Sequence, residues 1–225
     1  MKEKLKLTPV MEDYLKNIYY EIEEKGKCSI VELSKRIGTK PSSVSEMVDR
    51  LEQKGLVKHE RYSDIKLTEI GKKIALEVIR HHRLIELYLL KSLGYDYEKL
   101  HNEAEKLEHY ISIDLAKAIY EFLGKPKFDP HGHPIPDEKG NLPKTENLPL
   151  SELLTNDNFL VVEIPDSDKK LTKFLYENSI VPNNKGKVIE KNEVAGYMKI
   201  LLEKEVILSL EISKLIKVKK LWNVL

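Results

Sequence analysis

The chain has 225 residues, room for one large domain or two to three small ones, and 41% of them are hydrophobic, enough for real cores. No apolar run approaches the roughly 20 residues of a membrane span, and the basic start "MKEKLKLTPV" has no apolar stretch behind it, so neither a membrane helix nor a signal peptide is expected. A single cysteine, Cys28, excludes an intrachain disulfide and any cysteine-based zinc site, while the net charge of +1 hides a basic stretch, residues 25–66 (ten Lys/Arg against six Asp/Glu), and an acidic one, residues 96–124 (three against seven).

Thr8 and Pro9 read as the cap and first residue of a helix whose apolar face is Tyr14, Leu15, Ile18, Tyr19 and Ile22. "SIVELSKRIG" predicts a short helix closed by Gly38, and "TKPSSVSEMVDRLEQKGLV" a second one with Val44, Met47, Val48 and Leu51 inward. "LVKHERY" and "DIKLT", alternating around Ser63 and Asp64, predict a hairpin. Helix, short helix, turn, helix and hairpin make a winged helix-turn-helix. Thr68 then opens a long helix that breaks at Gly94, and a further helix is expected from about Tyr97 to Phe122. Residues 124–150 hold six of the ten prolines and little periodicity, which reads as a linker. From 151 onward short strands, "FLVVEI", "GKVIE", "GYMKILL", "VILSL" and "LIKVK", with a small helix near "KKLTKFLYEN", predict a small SH3-like β-barrel.

The expected architecture is therefore a mainly α N-terminal region with a winged helix-turn-helix and a helical dimerisation domain, followed by a small all-β domain. Its divisions are residues 1–74 for DNA binding, 75–128 for the helical domain, 129–150 for the proline-rich linker and 151–225 for the barrel.

In "HNEAEKLEHYI" four metal-ligand types recur at His101, Glu105, Glu108 and His109. At about 100° per residue a helix would put them on one stripe beside the apolar face of Leu100, Ala104, Leu107 and Ile111. Carboxylates gathered beside a buried stripe need a cation or protons to neutralise them; the alternative is a solvated charged helix. Upstream, "RHHRLIE" places His82 and Glu86 one turn apart, a spacing that also serves simple helix stabilisation, with His81 turned toward the surface. Asp13, on the first helix, is a candidate remote ligand that would tie the DNA-binding module to a metal.

In the third helix Lys40, Ser42, Ser43, Ser45 and Glu46 stand at the N-terminal end, where a recognition helix meets base edges and phosphates. Arg61 and Lys66 flank the proposed wing. Glu46 would be repelled by phosphates, and either accepts from a cytosine amino group or points away.

Taken in order, "EDYLKNIY", "KPSSVSEMVDRLEQKGLV", "LTEIGK", "RHHRLIE", "HNEAEKLEH" and "PHGHPIP" resemble the diphtheria toxin repressor family of iron- and manganese-dependent regulators, over the whole chain. The resemblance implies a primary metal site of Asp13, Glu105, Glu108 and His109, and an ancillary site of His82, Glu86 and His101. It implies carboxylates of the manganese type at Asp13 and Glu105, where iron-type members place sulfur; an oxygen and imidazole set suits Mn(II) or Fe(II).

The departures are Lys16, where small manganese-type members often add a Glu, and Asp129, where the family has Cys before "PHG". Ligands from the SH3-like domain would fall near Asp168 and Leu171, of which only the first can bind metal. The family treats the stretch with His131 and His133 as linker, so these are expected not to ligate.

The implied function is a cytoplasmic, homodimeric repressor of metal-uptake genes, with Mn(II) or Fe(II) as co-repressor and a palindromic operator in double-stranded DNA. The rival is a metal-binding protein or metallohydrolase whose helix-turn-helix is not used on DNA. Its motifs fail: Glu105 stands where an inverted zinc-protease motif needs His, and Lys106 where a di-iron Glu-x-x-His pair needs Glu. No enzyme is expected.

Overall fold

A computed structural model describes residues 7–60 and 63–222. The chain divides into two compact units, one of Met1–His82, Glu105–Ala118 and Pro136–Leu142, the other of Arg83–Ala104, Ile119–Ile135 and Pro143–Leu225.

In the first unit, α1 (Pro9–Lys25) starts where the Thr8 hydroxyl accepts from the Met11 amide, and it stops at Gly26, whose φ of 74° a side chain would resist. Ser29 and Glu32 form a reciprocal capping box at the head of α2 (Ile30–Ile37). After the turn comes α3 (Pro41–Gln53), with Pro41 in its first turn. Strands β1 (Val57–Lys58) and β2 (Lys66–Leu67) pair antiparallel as the wing. The core is Leu15, Ile18, Leu33, Val44, Val48, Leu51 and Leu56, all with no exposure, closed by Ile65 and Ile74. The helical residues among these recur at i, i+3 or i+4, and Leu56 and Ile65 close the core from outside the helices.

The long helix α4 (Glu69–Leu93) begins close to this core. At Gly71 an added Cβ would come within 2.0 Å of the Leu56 carbonyl oxygen, so glycine is what lets the helix approach the backbone below it.

The continuous helix expected from Tyr97 to Phe122 is two helices, α5 (Tyr97–Leu107) and α6 (Ile113–Phe122), and residues 108–112 turn between them. The Ser112 hydroxyl accepts from the Leu115 amide and its carbonyl from Ala116, an N-cap that starts a new helix instead of extending the old one. Glu108 and His109 therefore sit in a turn beyond the end of α5, not on a helical stripe.

The second unit holds a six-stranded sheet in the order β3-β8-β4-β5-β6-β7, with every neighbour pair antiparallel. Its strands are β3 (Leu148–Pro149), β4 (Asn158–Glu163), β5 (Lys185–Asn192), β6 (Tyr197–Leu201), β7 (Glu205–Ser209) and β8 (Lys217–Leu221). Helix α7 (Lys169–Glu177) lies between β4 and β5, and α8 (Leu210–Leu215) between β7 and β8. Bulges after Val161 and Val188 bend β4 and β5, and alternate residues fill the core, Phe159 and Val161 from β4, Met198 and Ile200 from β6. This is the SH3-like fold expected, with one strand more than the sequence suggested, since β3 arises inside the proline-rich stretch.

No helix among the described residues is long and apolar enough to cross a membrane.

Candidate metal centres and nucleic-acid interface

In the first unit Asp13, Glu108 and His109 bring one ligand atom each within 4.8 Å of one another. Asp13 comes from α1; the other two come from the 108–112 turn. His109 Nε2 lies 3.2 Å from Asp13 Oδ1 and 3.3 Å from Glu108 Oε1, and its Nδ1 lies 2.7 Å from Glu12 Oε2. Burial alone would drive a proton off His109, but its bonds to Asp13 and Glu12 hold it on and raise its pKa to about 9.

Glu108 is buried completely. Its Oε1 accepts from Lys16 Nζ at 2.5 Å, its Oε2 meets His82 Nδ1, and its backbone carbonyl lies 3.2 Å from His81 Nδ1. Burial pulls Lys16 toward neutrality, yet the charge and hydrogen bond of Glu108 outweigh it and the ammonium is held above its ordinary pKa.

Of the primary set implied by resemblance, Asp13, Glu108 and His109 are thus assembled, whereas Glu105 lies on the exposed face of α5 and is not one of the cluster. His81, read from its helical angle as a surface residue, is only 3% exposed. Glu12 was not anticipated: its partner His109 is 97 residues away in the chain.

In the second unit Glu86, His131 and Asp166 converge in the same way, with ligand atoms within 4.8 Å. Glu86, on α4, is fully buried and sits 3.4 Å from His101 Nδ1 and 4.0 Å from His131 Nε2. The loop carrying His131 is built for this place. Asp129 Oδ1 accepts from the amides of both His131 and His133 at 2.8 and 2.9 Å, and Ile164 of the strand end donates to the His131 carbonyl. At Gly132 φ is 90° and an added Cβ would lie 1.8 Å from the Val162 carbonyl oxygen, so only glycine lets the loop press this close to β4.

His133 Nδ1 lies 3.3 Å from Asp129 Oδ2 and 3.5 Å from Asp166 Oδ2; burial lowers its pKa, but these two charges raise it to about 9. Arg83 Nε adds a contact of 3.5 Å to Asp129.

This second cluster fits a divalent cation. Tyr176 Oη engages His131 Nδ1 at 3.2 Å, while His131 Nε2 is buried with no hydrogen-bond partner among the described residues. Two donors each about 2.1 Å from one ion stand about 3–4 Å apart, and the 4.0 Å between His131 Nε2 and Glu86 Oε1 is at that spacing.

Within residues 124–150, expected to be linker, Asp129 and His131 are buried. Asp168, the one position of the SH3-like domain expected to be able to bind metal, caps α7 by accepting from the Lys170 and Leu171 amides, and Asp166, two residues earlier, is the one in the cluster. The signal in the sequence was the density of ligand types in "DPHGHP". Its partners lie on a distant helix and a distant strand end, which spacing cannot reveal. Of the implied ancillary residues, His82 Nδ1 meets Glu108 Oε2, and Glu86 Oε1 lies 3.4 Å from His101 Nδ1.

At the N-terminal end of α3, Lys40, Ser42, Ser43 and Glu46 are exposed and Ser45 is half-buried, with Val44 and Val48 facing the core. Lys58 and Lys66 of the wing are exposed. Arg61 lies outside the described residues.

Three family models match consecutive parts of the chain. These are the iron dependent repressor N-terminal DNA binding domain over residues 6–65, the iron dependent repressor metal binding and dimerisation domain over 68–137, and the FeoA domain over 148–220. Among curated proteins the chain is similar to the HTH-type transcriptional regulators MntR of Bacillus velezensis and Bacillus subtilis. Each is 39% identical over 105 residues, which is 47% of this chain and 73% of the relative.

Among solved structures it resembles a manganese-dependent transcriptional repressor in complex with manganese, at 33% identity and a TM-score of 0.85 over 94% of this chain and 100% of that one. The manganese regulator SloR matches at 28% identity and 0.79, over 96% of this chain and 100% of that one. The T. acidophilum IdeR matches at 25% and 0.77, over 93% and 97%. The matched DNA-binding domain and the regulators among the relatives speak for use on DNA and against a hydrolase. With its winged helix-turn-helix, its ligand clusters and its SH3-like sheet in that order, the chain belongs to the diphtheria toxin repressor family of metal-dependent transcriptional regulators, which are DNA-binding repressors and not enzymes.

Proposed function

We propose that this chain is a homodimeric repressor that acts in the cytoplasm on metal-uptake genes, and that Mn(II) or Fe(II) is its co-repressor. The observation that carries the metal reading is the convergence of Glu86, His131 and Asp166 around a buried, unbonded imidazole nitrogen. Every donor there is a carboxylate oxygen or an imidazole nitrogen, a set without thiolate, which suits Mn(II) and Fe(II) over softer ions. Relatives described as manganese-dependent support the same choice.

A bound cation supplies the charge that lets such carboxylates share one site. The rest is done by the protein. In the second unit Glu86 and Asp166 would offer oxygens and His131 its Nε2, with Tyr176 holding the other ring nitrogen and Asp129 shaping the loop. In the first unit Asp13, Glu108 and His109 would hold an ion that fastens α1 to the 108–112 turn. Tyr14 and Leu15 of α1 share one core with Val44 and Val48 of α3, so the attitude of α1 carries to the recognition helix.

Helix α6 exposes Ile113, Leu115 and Phe122 by 62%, 48% and 71%, an apolar face suited to a second copy of the chain. In such a dimer two α3 helices enter successive major grooves of a palindrome. Ser42, Ser43 and Lys40 would meet phosphates and base edges, and Ser45 would be partly held by its own fold.

The test is anisotropy of a duplex selected from a random pool in the presence of Mn(II), measured again in excess chelator. Binding should need the metal; equal affinity in both conditions sinks the mechanism.

A further inference from the structure

In the second unit, the face of the sheet opposite Phe159 and Val161 is basic. Residues 184–222 hold nine lysines against five glutamates, and strand pairing gathers three of these lysines in one place. Lys219 of β8, Leu160 of β4 and Lys185 of β5 form one row across the sheet. Two residues along, Leu221, Asn158, Lys187 and Leu201 form the next row, and side chains two residues apart share a face. None of the three lysines has a carboxylate partner among the described residues. The neighbouring acids are already engaged: Asp157 pairs with Lys220 at 2.7 Å and Glu205 with Lys199 at 3.4 Å.

A groove of about 510 Å³ opens here, lined by Lys185 and Lys187 together with Leu201, Leu202, Leu221 and Trp222. Leu201 is 39% exposed and Trp222 81%. An indole and three leucines around one hollow, rimmed by ammonium groups, make a contiguous apolar patch of the kind that marks an interaction site. Its occupant has to be anionic and to bring an apolar group. Nucleic acid meets the first demand, but it binds such surfaces by stacking successive bases on aromatic rings, and this groove offers one indole among aliphatic walls. An extended peptide meets both. Its alternate side chains stand about 7 Å apart, the spacing of Lys185 and Lys187 along β5, and the hollow beside Lys187 takes an apolar side chain. The acidic loop 136–142 of this chain is already packed within the first unit. Arg80 donates to the Pro136 carbonyl, and a Cβ added at Gly140 would stand 3.2 Å from Leu76 Cδ1.

We propose that this groove is a docking site for an acidic peptide segment of another protein. Two carboxylates of the segment meet Lys185 and Lys187, and an apolar side chain beside them lies among Leu201, Leu221 and Trp222. Lys219, two strand spacings or about 10 Å from Lys185, extends the positive field that draws the segment in. The SH3-like domain thereby has a recognition surface of its own, built from residues that belong neither to the metal clusters nor to α3.

Trp222 is the single tryptophan of the chain, so its emission reports on the groove without a label. The full chain is titrated with the capped peptide Glu-Ser-Glu-Ser-Leu, which has no aromatic residue. Emission should shift and saturate with a dissociation constant below about 1 mM. The same peptide with Gln in place of Glu should bind about fivefold more weakly, the loss expected for two exposed ion pairs. Raising the salt from about 0.05 to 0.5 M should weaken the Glu peptide and leave the Gln peptide unchanged.

Lys185→Gln with Lys187→Gln should lose the same factor for the Glu peptide, while its melting temperature and its operator affinity in Mn(II) stay those of wild type. No emission change up to about 5 mM peptide, equal binding of the Gln peptide, or equal binding by the double variant overturns the proposal. So does a tighter response to oligothymidylate than to the peptide, or a loss of operator affinity in the double variant, either of which assigns this face to nucleic acid. The comparison of the two peptides uses wild type alone, so it decides the matter even if the double variant does not fold.

Discussion

The phenol oxygen of Tyr176, on α7, stands 3.2 Å from His131 Nδ1, and this contact settles which nitrogen of the imidazole faces Glu86. Tyr97 packs against the same phenol ring with ring centroids 3.8 Å apart and 33° between the planes, so the tyrosine beside the histidine is itself held. Partners of this kind, which touch a ligand and not the metal, typically carry 10–100-fold in affinity.

Tyr176→Phe should therefore weaken Mn(II) binding by about tenfold while leaving the fold intact, because the ring and its stacking remain. Dialysis against graded free Mn(II) measures this. An unchanged isotherm would show that His131 needs no orientation or does not bind the ion.

Gly132→Ala tests the loop. The residue has a φ of 90°, and the new methyl group would collide with the Val162 carbonyl, so the loop must move away from β4. Urea unfolding should show a loss of about 3 kcal/mol. Mn(II) binding should fall more steeply than in Tyr176→Phe. Wild-type stability would mean that the loop tolerates displacement.

The metal-free protein should lose stability as pH rises from about 6.5 to 9. His109 and His133 both have folded pKa values raised to about 9 by neighbouring carboxylates. A raised value means that the folded state binds protons more tightly than the unfolded one. The stabilisation is complete below about pH 6.5, the ordinary histidine value, and is gone once the folded groups deprotonate. Urea denaturation in chelator at pH 6, 7.5 and 9 should give a falling series, flattened in His109→Gln. The buried Cys28 thiol, pushed up to about 12, acts only above this window, where ionisation of the unfolded chain costs further stability. A flat or rising series contradicts the assignment.

Ser42→Glu with Ser43→Glu should lower operator affinity at least tenfold in Mn(II), since two carboxylates would face phosphates from the exposed end of α3. The Mn(II) isotherm should not change. If DNA binding survives, α3 is not the recognition helix.

Ile113→Glu with Phe122→Glu places charge on the exposed apolar residues of α6 and should convert a dimer to a monomer at micromolar concentration in sedimentation velocity. A dimer that persists moves the interface elsewhere.

Local chemistry was enough for much of the molecule. Thr8 with Pro9, Ser29 with Glu32, and Gly38 mark helix ends because capping involves residues within one turn, and the apolar stripe of each helix names its buried face. Alternation named the strands of the barrel, because side chains in a strand change face at every residue. Asp13, Glu108 and His109 were legible through ordered motifs along the chain.

What the local signals misjudged were competitions between neighbours. Ser112 as an N-cap overrode the apolar period that ran on through 107–116, and moved Glu108 and His109 off the helix. Only the tertiary structure decided who meets whom. Glu86, His131 and Asp166 are 45 and 35 residues apart, and Lys16 is 92 from Glu108. Periodicity is a property of a few turns of one element, whereas a binding site is made by chain reversals that bring separate elements together. Those reversals depend on the summed burial of whole cores, which no spacing within a motif records.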